Sequence, residues 1–211
     1  MDIRYVERIA STHQWLVEAV KTQEVTPPFA IYAGEQHNGV GSRGNEWKGC
    51  VGNLYFSFCV NEKQLPDDLP PASISIYFAW LMREVLVGFG SNLWLKWPND
   101  FYLENKKIGG VITAKTGSVL VGSMGVNLVQ APEEFGVLDI KISSKEIIEA
   151  FVFLLEKKPT WKNIFSKYRL EFQLSQQFSF HMNGKKVSLS EAFLCDDGSI
   201  EIENKKVYSL R

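Results

Sequence analysis

The sequence predicts an α+β fold: a mixed or antiparallel central sheet with packed helices, followed by a small C-terminal β-barrel. Three observations carry that expectation. Period-two alternation marks strands, most clearly at Asn53–Val60. Stripes of helical period lie near residues 11–20, 71–87, 143–155 and 160–172. After Gln173 the texture changes to short strand-like pieces divided by hairpin-type turns. The expected organisation is a main domain over residues 1–173 and a small β domain over 174–211.

Taken in order, Ser11 opens the first helix. Gln14 gives a capping-box pattern, and Trp15, Leu16, Ala19 and Val20 supply the apolar stripe. Ser11-Thr12-His13 then sit where backbone N–H groups point outward, which serves either plain capping or an anion. Phe29–Ala33 reads as a strand. Glu35–Gly52 holds five glycines and one arginine. It is a loop that either connects its neighbours or folds its amides around phosphate oxygens. It is not a Walker loop, since no Lys-Ser/Thr follows the last glycine, and no helix follows to make a dinucleotide fingerprint.

Asn53–Val60 places Leu54, Phe56, Phe58 and Val60 on one face and Tyr55, Ser57 and Cys59 on the other. That pattern predicts a half-buried antiparallel strand. Pro71–Val87 reads as a long helix with Ile74, Phe78, Leu81, Met82, Val85 and Leu86 buried and Gly88 as its stop. Ile112–Lys115, a Thr116-Gly117 turn and Val119–Leu128 extend the sheet. Ser143–Glu146 is a capping box ahead of Ile147, Ile148, Phe151, Leu154 and Leu155. A further helix over Thr160–Phe172 carries Ile164, Phe165 and Tyr168. Asn183-Gly184, Asp196-Asp197-Gly198 and Glu203-Asn204 divide the tail.

Composition narrows the partners. The chain is 45% hydrophobic, ample for a core. A formal net charge of −1 argues against broad electrostatic binding to nucleic acid. No apolar run is long enough to span a membrane, and no signal-peptide pattern opens the chain. Three cysteines without metal-ligand spacing read as free thiols in a reducing compartment, hence cytoplasm.

Leu93–Val111 concentrates the chemistry. Leu93, Leu95 and Trp97 alternate with Trp94 and Lys96, and Pro98 ends the ladder for want of an N–H. Asn99 and Asp100 are turn formers. A short strand, Phe101–Leu103, turns at Glu104-Asn105 and returns through Lys107 to Gly109-Gly110. Two lysines, an amide and a carboxylate are thus placed near strand ends. The stretch is either a hairpin with surface lysines or a site where backbone approaches a ligand.

In this order, the motifs resemble biotin protein ligases. Lys96–Asp100 followed by Lys107–Gly110 matches that family's Lys-Trp-Pro-Asn-Asp and Lys-x-x-Gly. Gln36–Trp47 is similar to its glycine- and arginine-rich loop, Ser123–Asn127 to its Gly-x-Gly-x-Asn, and Ser11-Thr12-His13 to its Ser-Thr-Asn. The resemblance implies a class II synthetase-like core and an SH3-like tail. It implies that ATP and biotin, with Mg²⁺, give biotinyl-5′-AMP, and that the acyl group passes to a lysine of a biotin carboxyl carrier protein. It places Lys96, Lys107 and Arg43 in catalysis. Ser11, Thr12, His13, Gln36, Gly39, Gly41, Lys96, Gly109 and Gly110 would bind biotin. Arg43, Trp47, Asn99, Lys107, Ser123 and Asn127 would bind ATP. No metal ligand is named, and Asp100 is either a base or a turn cap.

This chain departs from the family pattern at several positions. Gly-Arg-Gly-Arg is Gly39-Val40-Gly41-Ser42 here, a later Arg is Asn45, and His13 and Ser123 stand for Asn and Gly. Only Arg43 remains in the loop. The alternatives are a lipoate or octanoate enzyme of the same fold, or a catalytically silent binding module. Lys96 and Lys107 argue against silence. Only ten residues precede Ser11, too few for the winged helix of the family's repressors, so the expectation is a ligase that binds no nucleic acid. A homodimer through an exposed strand is a further possibility from the family.

Overall fold

The computed structural model describes residues 1–41, 46–47, 49–182 and 185–209 of the 211. Among them a seven-stranded sheet organises the chain. Its strands are β1 (Asp2–Ile9), β2 (Phe29–Gln36), β5 (Leu54–Asn61), β6 (Trp94–Lys96), β7 (Asp100–Leu103), β8 (Lys106–Thr116) and β9 (Val119–Val126). Their spatial order is β1-β2-β5-β9-β8-β7-β6. β1 and β2 run parallel and the other pairs antiparallel, so the sheet is mixed, as expected. A two-stranded ribbon, β3 (Gly39–Val40) with β4 (Glu46–Trp47), stands apart from it.

Helices cover both faces. α1 (Thr12–Lys21) starts because Ser11 is extended and its hydroxyl accepts the Gln14 N–H at 3.3 Å. Leu16, Ala19 and Val20 pack on Phe29, Ile31, Cys59 and Val121. The opposite face carries α2 (Ile74–Gly88), α3 (Ser144–Glu156) and α4 (Trp161–Ser175) over the larger apolar cluster. β5 is therefore buried on both sides, not half-buried as its alternation predicts: α1 closes over Tyr55, Ser57 and Cys59. Alternation reports side-chain parity, and only the layers decide whether the second face meets water.

Other departures are local. β1 has no clear sequence signature, because it is an exposed edge strand whose apolar residues do not alternate cleanly. α2 begins at Ile74, after a 3-10 turn over Pro71–Ser73. β8 is one strand of 11 residues, and Gly122–Val126 lies within β9. The Asn183-Gly184 turn lies outside the described residues.

The other sheet edge is sealed by side chains. The Leu95 N–H donates to Glu171 Oε1 at 2.6 Å and the Trp97 N–H to Ser175 Oγ at 3.0 Å, both on α4. These bonds satisfy donors that an unpaired edge would leave bare. The C-terminal segment forms two small antiparallel sheets, β10 (Ser179–Met182) with β11 (Lys185–Ser188), and β12 (Phe193–Leu194), β13 (Ile200–Ile202) and β14 (Lys205–Val207). Indole N–H groups anchor them: Trp97 donates to Gly198 O at 3.0 Å and Trp161 to Asp196 O at 2.9 Å.

Candidate active site

A cavity opens on the α1 side of the sheet. Ser11, Thr12 and His13 reach it from the start of α1, and Gln36 from the end of β2. Val40 and Trp47 come from the β3–β4 ribbon and Gly41 from just after β3, while Asp100, Lys107, Gly110 and Ser123 come from the sheet and Asn99 from the turn before β7. A second cavity shares His13, Val40, Gly41, Asn99, Asp100 and Lys107 with the first, and adds Lys96 and residues of β10. Groups separated by more than a hundred positions meet here because β5, β9 and β8 are neighbours in the sheet.

One end is built from linked polar groups. Gln36 Oε1 accepts from the Thr12 N–H at 2.9 Å and from its hydroxyl at 3.2 Å. The Ser57 hydroxyl lies 2.9 Å from that of Thr12 and 2.8 Å from that of Ser123. Ser123 is in turn 2.8 Å from His13 Nδ1. Ser57 and Ser123 face each other because β5 and β9 pair them directly. Burial lowers the His13 pKa, favouring the neutral ring.

The other end is cationic. Lys107 Nζ forms an ion pair with Asp100 Oδ1 at 2.6 Å. Asn99 donates its side-chain N–H to Val111 O, holding the turn after Pro98 against β8. Lys96 is only 6% exposed, so it is not a surface lysine of a plain hairpin. Its ammonium lies 5.4 Å from the Tyr102 ring centre and 5.9 Å from that of Phe178, so aromatic faces replace part of its water. Burial, reinforced by Asp100, pushes the Tyr102 phenol up to about 12, which keeps that ring neutral.

Trp47 forms a wall. Its indole rests on Gly125, where an added Cβ would come within 2.9 Å of the ring, and Phe135 lies beyond at 6.4 Å between centres. Its buried indole N–H has no partner among the described residues. Gly39 keeps the ribbon close, since a Cβ there would meet Gln36 Nε2 at 2.4 Å and Trp47 O at 2.5 Å. At the ribbon's far end the Tyr55 hydroxyl accepts from Cys50 N at 2.5 Å and donates to Cys50 O at 2.8 Å. The expected loop is thus partly an ordered ribbon.

Most of the residues singled out in the sequence converge on these two cavities. Gly39 and Gly109 do not line them and act through close packing: a Cβ on Gly109 would strike Gly125 O at 2.5 Å. Asn127 lies behind the wall. Its amide donates to Gly136 O at 3.1 Å and accepts from Asn53 Nδ2 at 3.4 Å. Arg43, with Ser42 and Asn45, lies outside the described residues. Sequence reasoning missed Ser57, Tyr55 and Asn53 as site builders. Asn53 Oδ1 accepts the N–H groups of Leu128 and Val129, each at 3.0 Å, and so sets the segment that follows β9. Strand parity already puts Tyr55 and Ser57 on one face, but only the register shows that this face is the site.

The chain matches the biotin/lipoate A/B protein ligase family over residues 5–128. A biotin acetyl coenzyme A carboxylase synthetase from Helicobacter pylori, solved with bound biotinylated ATP, superposes with a TM-score of 0.94. It is 41% identical over 98% of this chain and 99% of that one. The biotin protein ligase of Aquifex aeolicus, in complex with biotin and ATP, shares the fold at a TM-score of 0.75 and 21% identity, over 98% and 94% of the two chains. The bifunctional ligase/repressor BirA of Escherichia coli is 32% identical over 139 residues, 62% of this chain and 42% of that protein. A biotin–[acetyl-CoA-carboxylase] ligase of Paracoccus denitrificans is 34% identical over 49% of this chain and 45% of its own length, so the chain spans under half of these curated relatives. With the matched segment covering most of the sheet and α1, and a whole-chain likeness at 41% identity, the chain belongs to the biotin/lipoate A/B protein ligase family.

Proposed function

We propose that this chain activates biotin with ATP and transfers it to a lysine of a biotin carboxyl carrier protein. The carrying observation is one continuous site, with linked polar groups at one end and Lys107 and Lys96 at the other. Support comes from the 41% identical structure that holds biotinylated ATP. The polar end suits a ureido ring, whose buried N–H and C=O groups need partners. Octanoate would bring a methyl end to it and lipoate a dithiolane ring, neither with an N–H or C=O to pair, which favours biotin over those substrates.

The first step joins two anions. A biotin carboxylate oxygen attacks the α-phosphorus, and the bond from that phosphorus to the pyrophosphate oxygen breaks. Two unit charges about 4 Å apart repel by about 4 kcal/mol at an effective dielectric of about 20. Lys96 and Lys107 offset that repulsion, and Asp100 holds Lys107 in place until a phosphate or carboxylate oxygen competes for it. Trp47 offers an apolar wall to adenine. Among the described residues, no group of three or more His, Cys, Asp or Glu is placed to hold a metal ion. Mg²⁺ would enter with the triphosphate, held mostly by phosphate oxygens and water, as part of the substrate. In the second step the acceptor ε-amine attacks the acyl carbon, AMP leaves, and the amine loses a proton.

The test is incubation with MgATP, biotin and a folded biotin carboxyl carrier protein, read by intact mass. The expected result is one biotinyl group on the carrier and release of AMP and pyrophosphate. No transfer by the folded protein, or equal transfer of octanoate, would overturn the proposal.

A further inference from the structure

Two departures from the family pattern touch each other. His13 stands for Asn and Ser123 for Gly, 110 positions apart, yet His13 Nδ1 and Ser123 Oγ are 2.8 Å apart. The hydroxyls beyond them determine which nitrogen of His13 carries the proton. The Thr12 backbone N–H can only donate, so the Gln36 atom it meets at 2.9 Å is the carbonyl oxygen. That oxygen can only accept, so the Thr12 hydroxyl, 3.2 Å away, spends its single proton on it. Thr12 Oγ1 must then accept from Ser57, which uses the one Ser57 proton. Ser57 Oγ must therefore accept from the Ser123 hydroxyl, 2.8 Å away. With its proton spent, Ser123 accepts, and the donor left for it is His13 Nδ1–H. Each link has one consistent direction because the chain ends on a backbone N–H, which cannot reverse.

We infer that the Gln36–Thr12–Ser57–Ser123 chain locks His13 as its Nδ1–H tautomer, so that Nε2 is a hydrogen-bond acceptor for an N–H of the bound ligand. In a neutral imidazole one nitrogen donates and the other accepts. His13 lines both cavities, and Nε2 has no partner among the described residues. Burial opposes the imidazolium, in which both nitrogens would donate. The inference rests on the biotin reading for the identity of the ligand: the ureido ring supplies N–H donors, and Nε2 takes one where the family has an asparagine. Ser123 is a positioning residue, because it acts through His13.

The order of protons also predicts what the family residues would do here. Ser123→Gly removes the acceptor for Nδ1–H. The proton then moves to Nε2, and two donors face each other at the ligand. Changing both positions to the family residues, Ser123→Gly with His13→Asn, restores an acceptor through the amide oxygen. The two sites are therefore coupled, and their effects on binding are not additive.

The test combines ¹⁵N NMR of the imidazole rings with calorimetry. The chain has three histidines, and the spectrum of His13→Asn assigns the His13 signals. In the ligand-free wild type His13 should show protonated Nδ1 and unprotonated Nε2, and Ser123→Gly should reverse this. Biotin should bind Ser123→Gly roughly threefold to tenfold more weakly than wild type, the value of about one hydrogen bond. The double variant should return to within about twofold of wild type. An Nε2–H tautomer in the wild type would overturn the lock. Unchanged biotin affinity in Ser123→Gly would overturn the ligand contact. A wild type that shows the Nδ1–H tautomer but binds no biotin would remove the biotin reading, and with it the partner assigned to Nε2.

Discussion

Glu171 offers a direct test of how the sheet edge that carries Lys96 is held. Its carboxylate accepts from the Leu95 N–H at 2.6 Å and from Arg83 Nε at 3.0 Å, and it is ion-paired to the Arg83 guanidinium with only 10% of its side chain exposed. Arg83 also stacks over Trp80 at 4.7 Å. Glu171→Ala strands the Leu95 N–H, which costs about 1–3 kcal/mol, and removes charged hydrogen bonds worth about 1.5–3 kcal/mol. The combined loss is about 3–5 kcal/mol, the range for breaking a buried ion pair from one side. For a chain of this length that lowers Tm by roughly 10 °C. Glu171→Gln keeps an acceptor for Leu95 and loses the charge, so it should cost only about 1–2 kcal/mol. Urea unfolding followed by tryptophan fluorescence measures both. A Glu171→Ala loss below about 1 kcal/mol, or equal losses for the two variants, would refute the edge-sealing account.

Lys96→Met keeps an apolar stem under Tyr102 and Phe178 and deletes the charge. Pyrophosphate release should fall at least about 100-fold with little change in Tm, and an active Lys96→Met would remove Lys96 from the chemistry. Asn53→Ala leaves the N–H groups of Leu128 and Val129 without their acceptor and loosens the segment behind Trp47, costing about 2–3 kcal/mol by denaturant titration. Asp139 is subject to desolvation, which raises its pKa, but hydrogen bonds from Ser91 and Asn92 outweigh it and the net shift is downward. A depressed folded-state pKa stabilises above the ordinary carboxylate range, and that stability is lost as pH falls through the folded value. Asp139→Asn should therefore be less stable than wild type at neutral pH, with the gap closing in acid. A gap that stays constant with pH would count against this linkage.

The sheet, the helices and the chemistry of Leu93–Val111 were legible because local rules govern them. Proline stops a ladder, a capping box starts a helix, and alternation sets parity. β1 was not legible, since an exposed edge strand needs no alternating apolar face. The burial of Lys96 was not legible for a related reason: nothing in its neighbours in sequence announces that Phe178, after α4, closes over it. Asn127 carries a motif position, yet its amide is occupied by Asn53 and Gly136, partners that only folding supplies.

By itself, the amino-acid sequence determined the α+β class, the family resemblance and most of the residues that line the site. These follow from short-range periodicity and from motifs read within a few tens of residues. Tertiary structure decided the burial of both faces of β5, the sealing of the Lys96 edge by α4, and the meeting of His13 with Ser123. Each depends on strand register and layer packing, where one partner lies scores of residues away and a shift of one position would turn every side chain to the opposite face.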